Sequence, residues 1–239
     1  MSISTTIKAI QDIMRQDAGV DGDAQRISQL TWLLFLKIFD DRESEYELDS
    51  AYHSPIPENL RWRNWASDEE GITGDELLQF VDQKLFPTLK DRAKMLANGN
   101  PRAQVVHDVF VDSYNYMKSG TLLRQVINRI NQIDFTSSED RHLFNDLYEK
   151  ILRDLQSAGN AGEYYTPRAV TQFMVDMTDP QLGQIVLDPA CGTGGFLVCA
   201  LEHVRRNYVK TDADRKVLQT SVRGIEKKPL PHLLATTNL

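Results

Sequence analysis

The chain has 239 residues, 41% of them hydrophobic, and 34 acidic against 27 basic side chains give it a net charge of −7. This is enough apolar material for one large or two modest soluble domains, and two are expected. No apolar run reaches the roughly 18 residues that span a bilayer, and the opening MSISTTIKAIQDIM lacks the basic flank and continuous apolar stretch of a signal peptide, so a cytoplasmic protein without membrane contact is expected.

Ile7, Ile10, Ile13 and Met14 recur at helical spacing and predict a short amphipathic helix, broken at Gly19-Val-Asp-Gly22. A second helix runs from about Ala24 to Tyr46. Its centre, Leu30 to Phe39, is apolar on nearly every side, which suits the middle of a bundle, and Asp40 to Glu45 reads as its solvated end. Residues 50–73 are irregular, with Pro55, Pro57 and Gly71. Arg61-Trp62-Arg63 resembles a basic-aromatic nucleic-acid patch, but Asp68, Glu69 and Glu70 follow, and anchoring of the loop by Trp62 and Trp65 is the plainer reading. Helical patterns resume over 75–97, interrupted at Pro87, then over 102–117, 120–130 and 137–156, the last opening on a capping box, Thr136 with Glu139. Residues 1–156 therefore form an α-helical domain, and Ser157 to Gly162, all small or polar, mark the boundary to a second domain over 157–239.

Charge divides at about the same place. Residues 161–239 hold nine Lys/Arg against eight Asp/Glu, while residues 1–160 hold 18 against 26. A self-sufficient DNA-binding domain would more often show a basic face, so any grip on nucleic acid is local or supplied by another chain. Cys191 and Cys199 form no metal-ligand cluster, and His203 and His232 have no partner at metal spacing; no metal site is expected, and both histidines read as surface or packing residues.

Chemistry concentrates after the boundary. In Gly162-Glu-Tyr-Tyr-Thr-Pro-Arg168, Thr166 suits an N-cap and Pro167 a first helical position, with Val170, Phe173, Met174 and Met177 as the buried stripe of the helix that follows. A capped helix start accounts for that alone; two adjacent tyrosines beside it suggest aromatic walls next to a site that favours a carboxylate. Ile185, Val186 and Leu187 form a short apolar strand ending at Asp188, Gly192, Gly194 and Gly195 permit a tight turn, and Leu197 to Val204 read as a helix. Such a unit places a ligand over the strand's carboxyl end. The turn has neither the lysine of GxxxxGK nor the third glycine of GxGxxG, which falls on Leu197, and a carboxylate at Asp188 repels pyrophosphate; a ligand without phosphate fits better. Ser221 to Glu226 is a second candidate strand ending in an acid, reached through a polar connection from Asn207 to Gln219. Glu226 is placed to accept ribose hydroxyls, or is simply a surface acid.

Together, Gly162-Glu-Tyr-Tyr-Thr-Pro-Arg168, Asp188-Pro-Ala-Cys-Gly-Thr-Gly-Gly-Phe196 and Gly224-Ile-Glu226 resemble S-adenosylmethionine-dependent DNA adenine-N6 methyltransferases, specifically the modification subunits of type I restriction-modification systems. Leu33-Leu-Phe-Leu-Lys-Ile-Phe-Asp-Asp-Arg-Glu43 is similar to the N-terminal domain of that family, so the resemblance covers most of the chain. It implies an α-helical N-terminal domain followed by the start of an α/β Rossmann-like methyltransferase domain whose sheet is incomplete. S-adenosyl-L-methionine is the implied cofactor. Glu163, Tyr164, Tyr165, Thr166, Pro167 and Arg168 would border its methionine end, Asp188, Gly192, Thr193, Gly194, Gly195 and Phe196 would form the loop beneath it, and Glu226 would hold the ribose. The implied partners are a DNA-specificity subunit, a restriction subunit, a second modification subunit and double-stranded DNA. The family's catalytic tetrapeptide, Asn/Asp-Pro-Pro-Tyr/Phe, which would hold a flipped adenine, does not occur in the sequence and is expected beyond Leu239. The chain therefore reads as a fragment without catalytic residues, inactive alone. Two other readings stay open, a helical docking module whose partial sheet binds nothing, and a methyltransferase for a small molecule or protein.

Overall fold

A computed structural model of the chain describes residues 3–48, 50, 52–91, 95, 101–133, 135, 166–228, 231, 232, 235, 236 and 239. The chain divides into two compact units, residues 1–160 and 161–239. The helix expected over 137–156, its Thr136–Glu139 cap, the 157–162 boundary, and Glu163, Tyr164 and Tyr165 lie outside the described residues.

The described residues of the first unit hold helices joined by irregular segments and no strand. Helix α1 (Ile3–Met14) buries Ile7, Ile10 and Met14 completely and packs on α7 (Gly120–Asn131). Between them Asp17, only 3% exposed, accepts main-chain N–H bonds from Gly19 (2.8 Å), Lys118 (2.9 Å) and Ser119 (2.9 Å). A buried carboxylate is tolerated here because three donors replace its water. Helix α2 (Asp23–Tyr46) is central, as its all-round apolarity predicts: Ile27, Leu30, Trp32, Leu33, Leu34, Phe35 and Leu36 are buried, and the Trp32 ring meets Phe86 edge-on at 5.0 Å.

The end of α2 departs from the solvated reading. Asp40 and Glu43 are buried, Asp40 accepting from Arg63 Nε (2.9 Å) and Glu43 from the Tyr52 hydroxyl (2.6 Å). These partners come from the irregular segment after the helix, so local sequence gives no sign of them. Arg61 and Arg63 both pair with Glu47, which leaves no basic-aromatic patch. Trp62 and Trp65 instead anchor the segment: they occupy a single-turn helix, α3 (Trp62–Trp65), are buried, and donate their indole N–H groups to Asn131 Oδ1 (2.8 Å) and the Leu60 carbonyl (3.1 Å).

The 75–97 pattern becomes α4 (Gly74–Gln79), a π-helical stretch (Phe80–Leu85) and α5 (Phe86–Lys90). Pro87 has no N–H and its ring crowds the preceding turn, so the wider spacing just before it, with the Phe86 N–H on the Val81 carbonyl, falls where the α-ladder is interrupted. Helix α6 (Pro101–Val111) stops short of the expected residue 117. Beyond it the Gln29 side chain, fully buried on α2, donates to Asn115 Oδ1 (3.0 Å) and accepts from the Tyr116 N–H (2.9 Å), which draws those groups away from a helical ladder. Ser119 caps α7, accepting from the Leu122 N–H at 3.3 Å.

In the second unit, α8 (Arg168–Thr178) precedes strand β1 (Val186–Asp188), then α9 (Gly195–Tyr208), α10 (Asp212–Leu218) and strand β2 (Val222–Gly224). The strands are parallel, Val186 opposite Val222 and Asp188 opposite Gly224. They form a two-stranded sheet, the incomplete α/β arrangement expected. The connection from Asn207 to Gln219 contains α10, whose start is fixed by a Thr211–Asp214 capping box.

Two expectations for α8 are corrected. Pro167, not Thr166, is the N-cap: it has extended backbone (ψ 139°) and its carbonyl accepts from the Val170 and Thr171 N–H groups. The buried face is also rotated by one residue. Thr171 and Val175 face the core, whereas Val170, Phe173, Met174 and Met177 are exposed, Phe173 at 63% and Met177 at 69%. Helix α9 offers α8 small side chains, Cys199 and Ala200, and Val175 packs between them with Val186 and Phe196 alongside. That contact, rather than the largest apolar stripe, sets the helix orientation.

Candidate cofactor site

The turn that leaves β1 is built from short-range geometry. Gly192 (φ +55°) and Gly194 (φ +82°) adopt left-handed backbone, which an L side chain resists. Asp188 Oδ1 accepts the Ala190 N–H at 3.1 Å, and the Cys191 carbonyl accepts the Gly194 N–H at 2.8 Å. Helix α9 then starts at Gly195 with Gly194 as its N-cap, a residue that has no side chain to offer the first N–H groups.

The end of β2 completes the site. The Ile225 N–H reaches the Asp188 carbonyl (3.0 Å), and the Ile225 carbonyl accepts from the Cys191 N–H (3.0 Å), extending the strand pairing into the turn. Glu226, half-buried, accepts the Gly192 N–H on Oε2 at 3.0 Å and the Lys228 N–H on Oε1 at 2.7 Å. Gly224 is closely approached: a Cβ there would lie 2.8 Å from Leu197 Cδ1 and 2.9 Å from Cys191 Sγ, so a larger residue would have to displace both side chains. At Gly192 and Gly195, by contrast, a Cβ would meet nothing within 4 Å among the described residues, so these lack a described side-chain neighbour on that side of the turn. Partial burial, with Asp188 and Glu226 nearby, pushes the Cys191 thiol above its ordinary pKa and keeps it protonated.

An HsdM N-terminal domain model matches residues 3–130, more than half of the chain, and an N-6 DNA Methylase model matches residues 139–239. The chain belongs to the methylase subunits of type I restriction-modification systems. Its sequence is 65% identical to the EcoEI type I restriction enzyme methylase subunit of Escherichia coli, over all of this chain and 49% of that one. Its fold matches the crystal structure of a modification subunit assigned to a type I restriction enzyme of Vibrio vulnificus YJ016, with a TM-score of 0.86, 45% identity, and coverage of 98% of this chain and 52% of that chain. A chain from a structural study of complex assembly and conformational transition in the type I restriction-modification system matches with a TM-score of 0.79 and 37% identity, over 99% of this chain and 47% of the other. This methylase-subunit chain thus spans about half the length of the relatives it matches.

Within the methylase-subunit chain, the structure brings Asp188, Gly192, Gly194, Gly195 and Glu226 together at the carboxyl ends of β1 and β2. Thr193 is buried, and Phe196 packs on the Val175–Cys199–Ala200 cluster, so both support the turn. Arg168 donates to the Gly195 carbonyl (3.3 Å) and Cys199 Sγ (3.5 Å), tying the start of α8 to the start of α9. Thr166 and Pro167 are exposed. Leu239, which the sequence marks only as the position that the adenine-binding tetrapeptide would follow, also comes close to the turn. Its N–H donates to the Ala235 carbonyl (3.0 Å), its side chain is 48% exposed, and its Cδ1 would lie 3.8 Å from a Cβ built at Gly194. An aliphatic side chain there has no proton or lone pair to offer a reaction, so Leu239 packs beside the turn and is not a catalytic residue. Cys191 and the Lys228 main chain were not among the sequence candidates. Cys191 lies inside the glycine motif, so its place in the turn was available from the sequence; the Lys228 N–H was not, because a main-chain donor leaves no mark on composition.

Among the described residues, no group of three or more His, Cys, Asp or Glu side chains is arranged to hold a metal, and no helix is long and apolar enough to cross a membrane.

Proposed function

We propose that this chain carries the S-adenosylmethionine half-site of a cytoplasmic type I modification subunit whose whole-protein activity is methyl transfer to adenine N6 in DNA. The observation that carries the reading is the glycine turn beside two parallel strands, with Asp188 at the end of one and Glu226 just past the end of the other and bonded to the turn, in a chain of this family. Asp188 and Glu226 would hold the ammonium and ribose ends, Gly192 to Gly195 would pass beneath, and Tyr164, Tyr165, Thr166 and Pro167 would wall the methionine end. Glu163 and Arg168 complete that proposed set. Once bound, the cofactor supplies an electrophilic methyl on its sulfonium. What these residues contribute is placement, since such a displacement depends largely on alignment. The glycine side of the turn suits an uncharged adenosyl group, and the carboxylates select against phosphate.

The sequence holds no Asn/Asp-Pro-Pro-Tyr/Phe tetrapeptide, so we assign adenine capture to residues other than these and expect no transfer by this chain alone. The acidic helical unit supports delegating sequence reading to a DNA-specificity subunit, in an assembly with a restriction subunit, a second modification subunit and double-stranded DNA.

Calorimetry tests the reading. Wild-type chain should bind S-adenosylmethionine, and Asp188→Ala and Glu226→Ala should each weaken it by at least about tenfold, the loss of a charge-assisted hydrogen bond. A folded chain that binds no S-adenosylmethionine returns the helical-docking alternative; robust transfer of labelled methyl to duplex DNA by this chain would overturn the assignment of adenine capture elsewhere.

A further inference from the structure

The geometry points to a second role for Glu226: its carboxylate is a latch that holds the glycine turn in shape before any ligand arrives, making it a positioning residue for the turn. This deepens the cofactor reading above and rests on it for the ligand, though not for the latch itself.

Thr193 is buried and the Gly194 N–H closes on the Cys191 carbonyl, but Gly192 between them is held differently. Gly192 has left-handed backbone, and among the described residues nothing lies within 4 Å of where its Cβ would be, so no described side chain packs on this point of the chain. Its N–H goes to Glu226 Oε2 at 3.0 Å, across 34 residues of sequence. The neighbouring Cys191 N–H is taken by the Ile225 carbonyl, so the end of β2 grips two consecutive amides of the turn. Glu226 is itself steadied by the Lys228 N–H on its other oxygen at 2.7 Å. A carboxylate offers about four lone-pair sites. Each oxygen here uses one on the main chain and keeps one, so the latch and the acceptance of two vicinal hydroxyls are compatible. A glutamine cannot do this, because its amide nitrogen would face one of the two N–H donors. An aspartate is one methylene too short to keep both bonds.

Amide hydrogen exchange of the ligand-free full chain, read by NMR at Gly192, tests the latch. In Glu226→Gln and Glu226→Asp the Gly192 amide should exchange about tenfold faster or more, while amides inside α9 keep their wild-type rates and report an intact fold. If Glu226→Gln does not fold, Glu226→Asp carries the comparison. Binding of S-adenosylhomocysteine and of its 2′,3′-dideoxy analogue provides the second arm. A latch predicts that both variants bind even the dideoxy compound several-fold more weakly than wild type does. Unchanged exchange at Gly192, or equal affinity of wild type and variants for the dideoxy compound, overturns the latch. If wild type binds neither compound, the cofactor reading fails and the exchange comparison alone decides the latch.

Discussion

The guanidinium of Arg124 is buried on α7 and donates to four main-chain carbonyls, those of Trp65 (3.0 Å), Ala66 (3.1 Å), Asp68 (3.1 Å) and Ile72 (2.7 Å). It pins the irregular segment that holds the two tryptophans. Burial lowers its pKa, yet so strong a base stays charged at neutral pH. Arg124→Met should lower the unfolding free energy of the chain by about 3 kcal/mol in urea titration, because several carbonyls lose a charged donor at once. Arg124→Lys should recover little, since an ammonium cannot reproduce the planar fork. A variant as stable as wild type would show that the segment holds itself. Nothing in local sequence announces this role. Periodicity marks 120–130 as a helix and cannot say that an arginine among its apolar residues faces a loop more than 50 residues earlier. The anchoring of Trp62 and Trp65 was legible because large aromatic side chains in an irregular segment have few other places to go.

Helices α8 and α9 meet at a side-chain clip that spacing alone did not reveal. His203, buried on α9, places Nδ1 2.9 Å from Asp176 Oδ1 and Nε2 2.8 Å from Asp179 Oδ1. Asp179, with φ +46°, ends α8 and also accepts the Tyr208 hydroxyl at 2.6 Å, while Arg206 approaches Asp176 at 3.4 Å. A neutral imidazole has only one N–H, so two carboxylate partners call for the imidazolium. Burial opposes that charge, but Asp179 and Asp176 outweigh it and the pKa of His203 is raised above its ordinary 6.5. Tyr208 and His203 hold the Asp179 carboxyl below its usual range, and His203 and Gln172 do the same for Asp176. The histidine's contribution to stability is therefore complete below about pH 6.5 and is lost as pH rises through its raised folded value; the aspartates contribute above about pH 3.8 and lose it as pH falls through their lowered values. The melting temperature should accordingly decline as pH rises from about 6 to 9, and His203→Gln should flatten that decline. NMR titration giving His203 a pKa at or below 6.5 would contradict the clip. The sequence reading as a surface or packing residue left the burial of His203 open and missed its charge, because Asp176 and Asp179 approach from another helix.

Across the molecule, the second unit leaves Phe173, Met177, Ile185, Leu187 and Ile225 all more than half exposed. Separate, scattered apolar side chains are ordinary; here α8, β1 and the margins of both strands contribute together, and the sheet has two strands among the described residues. The isolated chain should self-associate at micromolar concentration, and Phe173→Lys together with Ile185→Lys should raise its solubility without loss of helicity; light scattering and circular dichroism check both. A monodisperse wild-type chain would refute this. The strand–glycine turn–helix unit and the acid after the second strand were legible because a left-handed turn favours glycine and a short β-branched apolar run favours a strand, although β1 is only partly buried. The orientation of α8 was not, since an apolar stripe gives the face to be covered without naming the surface that covers it. One consequence concerns the order of folding. The 34-residue separation closed by the Gly192–Glu226 bond is a loop-closure cost met only once α9 and α10 have shortened the path. The glycine turn is therefore expected to take shape after α9 and α10, and pulse-labelled hydrogen exchange should protect the Gly192 amide later than amides inside α9.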